Sequence, residues 1–370
     1  MEYRTWEKAQ VSPSLLGYGC MRFPTKEDGT IDREKAGALL DKAMAEGVTY
    51  YDTAYTYHSK ESEIFLGEYL QKFERESFYL ATKLPVWLVK TGEDVERYLN
   101  EQLEKLQTDY IDFYLMHAMD GEEFEKAEEL KIFEKLEKFR EDGRIRHIGF
   151  SFHDSYEVFE KILKAHPWEF VQIQYNYMDV NYQAGTKGCK LAGELGIPVV
   201  IMEPLRGGAL AKLPDDIAGH LKERNPDVSV ASWALRFLAD HPEIKVILSG
   251  MGSMDQLEDN LHTLSNVEPL TDEERELFVN LKVMIENKQK SRCTGCAYCM
   301  PCPFGVDIPK NFRFWNDESM YQDGNGKRRY NNLKEAKATF CKECGKCEAA
   351  CPQHIEIRKD LKRVVVDLEV

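Results

Sequence analysis

Between residues 15 and about 265, short runs of β-branched and aromatic residues alternate with longer amphipathic stretches. The runs are LLGYG (15–19), VTYYD (48–52), FYLATK (78–83), IDFYLM (111–116), RHIGFS (146–151), FVQIQ (170–174), PVVIM (198–202) and VILSG (246–250). Each reads as a strand. Between them lie REKAGALLDKAMAEG, SEIFLGEYLQKF, VERYLNEQLEKL, EELKIFEKLEKFREDG, YEVFEKILKAH, GCKLAGELG, VASWALRFLADH and MDQLEDNLHTL, which read as helices. Several end in Gly, as helix C-termini favour. Eight β–α units of this length predict a closed (β/α)8 barrel rather than an open doubly wound sheet. The first turn, GYGCMR, lacks the third glycine of a GxGxxG fingerprint, which weighs against the doubly wound alternative.

One further helix is expected over TDEERELFVNLKVMIENKQ (271–289), with a threonine cap and an acidic first turn. After it the composition turns to cysteine, proline and glycine. The boundary is therefore drawn there: residues 1–289 form the barrel domain and 290–370 a second, small and mostly helical domain. That second part repeats. CPFGVDIPKNFRF (302–314) parallels CPQHIEIRKDLKR (351–363), which suggests two equivalent half-modules, each a cysteine run followed by a helix. The intervening NDESMYQDGNGKRRYNN is turn-rich, with helix expected to resume at LKEAKATF.

Composition narrows the function classes. A net charge of −15 argues against nucleic acid or an anionic membrane as partner, because phosphates would be repelled. The N-terminal MEYRTWEKAQ lacks the apolar core of a secretory signal, and apolar runs such as IPVVIM are too short to span a bilayer. A cytoplasmic protein is expected.

Eight of the ten cysteines crowd into residues 293–351, whereas Cys20 and Cys189 stand alone as buried thiols. In a reducing compartment such crowding points to metal rather than disulfides. The runs are Cys293, Cys296, Cys299, Cys302 and Cys341, Cys344, Cys347, Cys351. The second matches the C-x2-C-x2-C-x3-C-P run of bacterial ferredoxins, in which the fourth cysteine ligates the other cluster. That arrangement puts Cys293, Cys296, Cys299 and Cys351 on one 4Fe–4S cluster, and Cys341, Cys344, Cys347 and Cys302 on a second. Structural zinc favours two well-separated CxxC pairs and fits these unbroken runs poorly.

Barrel chemistry sits at the C-terminal ends of strands. There lie Asp52, Lys83 and His117, with Tyr57 in the loop after Asp52. A lysine ending an apolar strand needs a buried partner or a purpose. Asp52 would pair with Lys83, and the ammonium beside Tyr57 is expected to lower the phenol's pKa. Tyr57 could then protonate a carbonyl oxygen as hydride arrives, while His117 orients that carbonyl.

YYDTAYTYHSKESEIFLG, LATKLP and DFYLMH resemble the aldo-keto reductases over about residues 10–265. With both cysteine runs, the whole chain resembles the iron–sulfur-containing branch of that family. The resemblance implies Asp52, Tyr57, Lys83 and His117 as catalytic tetrad, and Ser151 and Gln172 as ligands of the nicotinamide amide. Gly250, Ser253 and Asn260 would form the adenine-side pocket, with phosphate favoured at a helix N-terminus. Three positions depart from the pattern. Ser151-Phe152 stands where the family has Ser-Asn, Met202 where it has a stacking tyrosine, and Gln256 where an arginine often takes the 2′-phosphate. The uncharged Gln256 favours NADH over NADPH. Met21, Arg22, Tyr55, Trp87, His153, Glu203 and Arg206 are candidates to face substrate.

The resulting expectation is an iron–sulfur oxidoreductase acting on a small carbonyl or alcohol, with NAD(P)(H) and two 4Fe–4S clusters. Nicotinamide gives electrons in pairs and cubanes take one each, so a flavin in place of nicotinamide is a second reading. A ferredoxin-like redox partner would supply or remove single electrons. The alternatives are a reductase whose clusters are only structural staples, and an electron-transfer or binding module with a non-catalytic barrel.

Overall fold

A computed structural model describes residues 1–370. Eight parallel strands close into a barrel in chain order: β1 (Leu16–Gly19), β2 (Tyr50–Asp52), β3 (Tyr79–Leu84), β4 (Ile111–Met119), β5 (Ile145–Phe152), β6 (Phe170–Gln174), β7 (Val199–Met202) and β8 (Ile244–Ser249). β8 pairs back onto β1 through Leu16↔Ile247 and Gly17↔Leu248. All eight expected strands are present. No helix is long and apolar enough to cross a membrane.

The period-2 alternation of a strand sorts its side chains between two apolar layers. Tyr51, Leu80, Tyr114, Ile148 and Ile201 pack outward under the helices. Tyr50, Ala81, Phe113, Leu115, Phe170, Val200, Val246 and Leu248 fill the barrel interior together with Trp6. Trp6 comes from a short N-terminal hairpin, bridged at Tyr3↔Ser14 and Trp6↔Val11. Its indole is fully buried, with ring centroids 4.7 Å from Phe113 and 5.6 Å from Phe170. The hairpin thus plugs the end of the barrel opposite the strand C-termini.

The helix expected over EELKIFEKLEKFREDG is two helices, Gly121–Glu129 and Ile132–Glu141. Lys131, at φ 52°, breaks the ladder between them.

The chain divides into two compact units: Met1–Gly207 with Ala231–Thr271, and Gly208–Val230 with Asp272–Val370. The second contains a helix not foreseen from the sequence, Asp215–Arg224. The helices after the two cysteine runs are Ile308–Tyr321 and Ile357–Leu368, and their apolar faces meet in a core of Ile308, Phe312, Trp315, Ile357, Leu361 and Val364. The helix expected at LKEAKATF is reduced to a single 3-10 turn, Ala338–Phe340. Asn311 claims that backbone instead: its Nδ2 donates to Ala336 O at 2.7 Å and its Oδ1 accepts from Ala338 N at 2.9 Å. Helix forms earlier, at Asn325–Asn331, in the segment read as turns, after Gly324 makes a left-handed entry at φ 76°.

If Trp6 is the barrel's plug, Trp6→Ala should lower unfolding free energy in urea by ~3–5 kcal/mol, the range for truncating a fully buried aromatic. A loss under about 1 kcal/mol would mean the interior closes without it.

Candidate active site and cysteine cavities

The inward-facing positions that make the apolar interior continue, one residue pair further along each strand, into a polar layer. Tyr50 is followed by Asp52, Ala81 by Lys83, Leu115 by His117, Gly149 by Ser151 and Phe170 by Gln172. Strand register brings these together at the C-terminal mouth, with Gly19 opposite Asp52, Lys83 opposite Leu115 and Ser151 opposite Gln172.

Lys83 is wholly buried, and its Nζ donates to Asp52 Oδ1 at 2.6 Å and to Thr53 O at 2.7 Å. Asp52 Oδ2 accepts from Gln172 Nε2 at 3.0 Å. Burial works against the Lys83 charge, but Asp52 and Tyr57 outweigh it and hold the ammonium above the ordinary lysine range. Burial, the largest influence on Asp52, lifts its carboxyl against the pull of Lys83 and Gln172.

Tyr57 stands over this pair, its ring centroid 5.1 Å from Lys83 Nζ. The depressed phenol expected from the sequence is not found. Desolvation of the buried ring raises Tyr57 above its ordinary value of 10.0, and Lys83 offsets only part of that. Immediately after Tyr57, His58, Ser59 and Lys60 all take left-handed backbone conformations, at φ 48°, 54° and 78°. Each such non-glycine residue costs roughly 1–2 kcal/mol. Strain of this kind persists where the surroundings over-determine the backbone, commonly beside functional groups.

His117 meets Tyr57 edge-on with ring centroids 6.1 Å apart, and Trp87 lies 5.0 Å away on another side. Burial first, then the charges of Lys83 and His153, push His117 well below its usual pKa, so the imidazole is neutral. Its Nδ1 is buried without a partner.

The expected cofactor ligands lie at the same mouth. Ser151 Oγ accepts from Ala118 N at 2.8 Å and retains its own proton to donate. Gln172 has its amide nitrogen committed to Asp52, which leaves its oxygen to offer. Met202 ends β7, half-buried. Ser253 caps the helix Met254–Ser265, and Gln256 Oε1 accepts from Gly252 N at 2.9 Å. Asn260 is buried and donates to Ser249 Oγ at 2.8 Å. Gly250 admits Arg22: an added Cβ would stand 2.6 Å from Arg22 Cγ, so the bare backbone lets a cationic side chain lie over this turn.

Among the substrate-facing candidates, Met21 and Trp87 are exposed, at 53% and 38%. Tyr55 is turned away, its hydroxyl donating to Glu101 at 2.8 Å. Arg206 pairs with Asp179 at 3.5 Å, His153 contacts Gln183 at 3.3 Å, and Glu203 is exposed with φ 54°.

A supporting network was not foreseen. Glu63, fully buried, accepts from Thr82 Oγ1 at 2.7 Å and Gln102 Nε2 at 2.6 Å, and Gln102 Oε1 accepts from Tyr114 OH at 2.7 Å. It ties the helix Glu61–Leu70, which follows Tyr57, to the strand that carries Lys83. The signal was available: Glu63 shares an i, i+3, i+4, i+7 stripe with Leu66, Gly67 and Leu70.

In the second unit the eight clustered thiols ring two cavities. Cys293, Cys296, Cys299 and Cys351 line one. Cys302, Cys341, Cys344 and Cys347 line the other, which Cys299 also borders. The last cysteine of each run therefore faces the cavity of the other run. Thiols spread around an open cavity suit a multi-atom cubane. Burial pushes the Cys299 thiol up to about 11, so binding a cluster there must displace a proton.

Comparison with known proteins agrees with both halves of this description. Residues 292–356 match the 4Fe-4S dicluster domain family. An uncharacterized oxidoreductase of Bacillus subtilis, YqkF, is 26% identical over 304 residues, covering 74% of this chain and 94% of that protein. L-galactose dehydrogenase of Arabidopsis thaliana is 25% identical over 73% of this chain and 90% of its own length. Among solved structures, the holo form of aldo-keto reductase AKR11C1 from Bacillus halodurans superposes with a TM-score of 0.65 at 26% identity, covering 76% of this chain and 96% of that one. With residues 15–282 matching the aldo/keto reductase family, the chain belongs to that family and is an oxidoreductase carrying a C-terminal 4Fe–4S domain.

Proposed function

We propose that the barrel reduces a small carbonyl compound with NAD(P)H, or oxidises the corresponding alcohol, with Tyr57 handling the proton. One observation carries this: a lysine with no exposure, held by Asp52 at 2.6 Å, lies under the ring of Tyr57. A charge in that position has no structural use that an apolar residue would not serve better.

The residues divide the work as follows. Asp52 and Thr53 O fix Lys83 so that its ammonium points at Tyr57. Tyr57 gives its proton to the carbonyl oxygen, and Lys83 stabilises the phenolate left behind. His117, neutral, donates a hydrogen bond that orients the carbonyl, and Trp87 beside it shields the site from water. Ser151 and Gln172 offer a donor and an acceptor to an amide, and Met202 offers an apolar surface to a ring. The Gly250–Ser253 turn at a helix N-terminus suits phosphate, and Arg22 brings to it a positive charge that Gln256 lacks. These groups fit a nicotinamide dinucleotide, which when bound supplies or accepts a hydride. The flavin alternative rests on electron counting alone.

The two cysteine cavities each fit one 4Fe–4S cluster, held by Cys293, Cys296, Cys299 and Cys351 and by Cys302, Cys341, Cys344 and Cys347. Such clusters supply one-electron transfer when bound, and a ferredoxin-type carrier is the matching partner. For a domain boundary near residue 290 the support is that family matches end at 282 and resume at 292, whereas the compact units divide earlier, at Thr271–Asp272. Eight metal-binding thiolates suit a reducing compartment such as the cytoplasm.

Tyr57→Phe should lower turnover of carbonyl substrates by about 10²–10⁴, measured as NAD(P)H oxidation; unchanged turnover would remove the phenol from the chemistry. Because burial raises Tyr57 above its ordinary 10.0, the phenol stays protonated across neutral pH. Carbonyl reduction should accordingly hold level there and fall only in the strongly alkaline range. A fall beginning at about pH 6–8 would point to a histidine instead. For the clusters, Cys302→Ser should halve the iron from about eight to about four per chain and remove the same EPR signal that Cys344→Ser removes. Loss of the signal removed by Cys293→Ser would show that the runs are not crossed.

A further inference from the structure

The two cavities share Cys299 and Ile308 in their linings and differ in the charge around them. The one ringed by Cys293, Cys296, Cys299 and Cys351 is otherwise lined by Thr294, Ala297, Gln353, prolines, isoleucines and Phe312, with no ionisable side chain besides the thiols. The one ringed by Cys302, Cys341, Cys344 and Cys347 is bordered by Lys342, Lys346 and Arg358, with one carboxylate, Glu343, in its lining and a second, Glu348, paired to Arg358, which leaves a net positive border. Glu343 is drawn outward by Lys362, at 2.7 Å. Arg358 is fixed in place: its Nε and Nη2 donate to Glu348 Oε2 at 2.9 and 2.7 Å, and its backbone N donates to Glu348 Oε1 at 2.8 Å. Its guanidinium carbon lies 3.7 Å from where a Cβ on Gly345 would stand, inside the second cysteine run.

Adding an electron to a cluster makes it more negative. Nearby cations favour that state, and only one of the two cavities is bordered by them. We propose that the module holds its two clusters at different reduction potentials, the one on Cys302, Cys341, Cys344 and Cys347 being the higher. Arg358, Lys342 and Lys346 set that difference. The proposal rests on the two-cluster reading above. Its consequence is a direction: an electron given to the module comes to rest at the cation-bordered cavity, and the apolar one serves as relay.

The test is a redox titration of the anaerobically purified full chain with dithionite and mediators, followed by EPR, with iron and sulfide measured on the same sample. Near eight irons per chain, two one-electron steps separated by at least 59 mV, a tenfold difference in equilibrium constant, are expected. Arg358→Gln should move only the upper step, to lower potential, and Arg358→Lys should restore most of it. Gln353→Lys, which places a cation at the apolar cavity, should raise only the lower step and bring the two together. Both positions, Arg358 and Gln353, are exposed at the surface. Two coincident steps, or an Arg358→Gln variant that moves the lower step, would overturn the proposal. An iron content near four would instead overturn the two-cluster reading on which it stands.

Discussion

A lysine ammonium without solvent governs the barrel's mouth. Moving such a charge out of water costs several kcal/mol, and losing its counter-ion costs about 3–5 kcal/mol more. Asp52 must therefore stay within hydrogen-bond reach, and β2 and β3 must keep the register that puts it there. Gln172, from the far side of the barrel, is spent on Asp52 for the same reason. The interior below, from Trp6 to Leu248, carries no counter-charge for it. What remains to satisfy Lys83 is the phenol above it.

The loop bearing that phenol is held against its own preference. Three successive left-handed residues follow Tyr57, and none is a glycine. The strain is borne because the helix behind them is anchored through buried Glu63 to Thr82 and Gln102. Position is thus bought with conformational energy at the loop and secured by a buried carboxylate one turn later.

Much of this was legible in the sequence. Eight β-rich runs gave eight strands, because alternation of side chains between two apolar layers leaves a periodic record. Asp52, Lys83 and His117 stood out because polar residues at the ends of apolar strands are costly without a partner. The sign of the Tyr57 shift was not legible. It depends on the balance between desolvation and one neighbouring charge, and burial cannot be read from a loop residue's identity. The helix at Asn325–Asn331 was hidden for a related reason: Asn311, remote in sequence, diverts the backbone at Ala336–Ala338 that local propensity would have made helical. Glu63 left a trace, as a carboxylate on an apolar stripe, but its partners Thr82, Gln102 and Lys105 lie on two other elements.

The exchange of last cysteines has a topological consequence. Because Cys302 faces the cavity of the later run and Cys351 that of the earlier one, each inorganic core would tie together stretches about forty to sixty residues apart in the chain. Neither half-module is then a self-sufficient unit. Closing one loop brings the thiols for the other into range and removes entropy that the second closure would otherwise have to overcome. Assembly of one core would therefore lower the entropic cost of assembling the other.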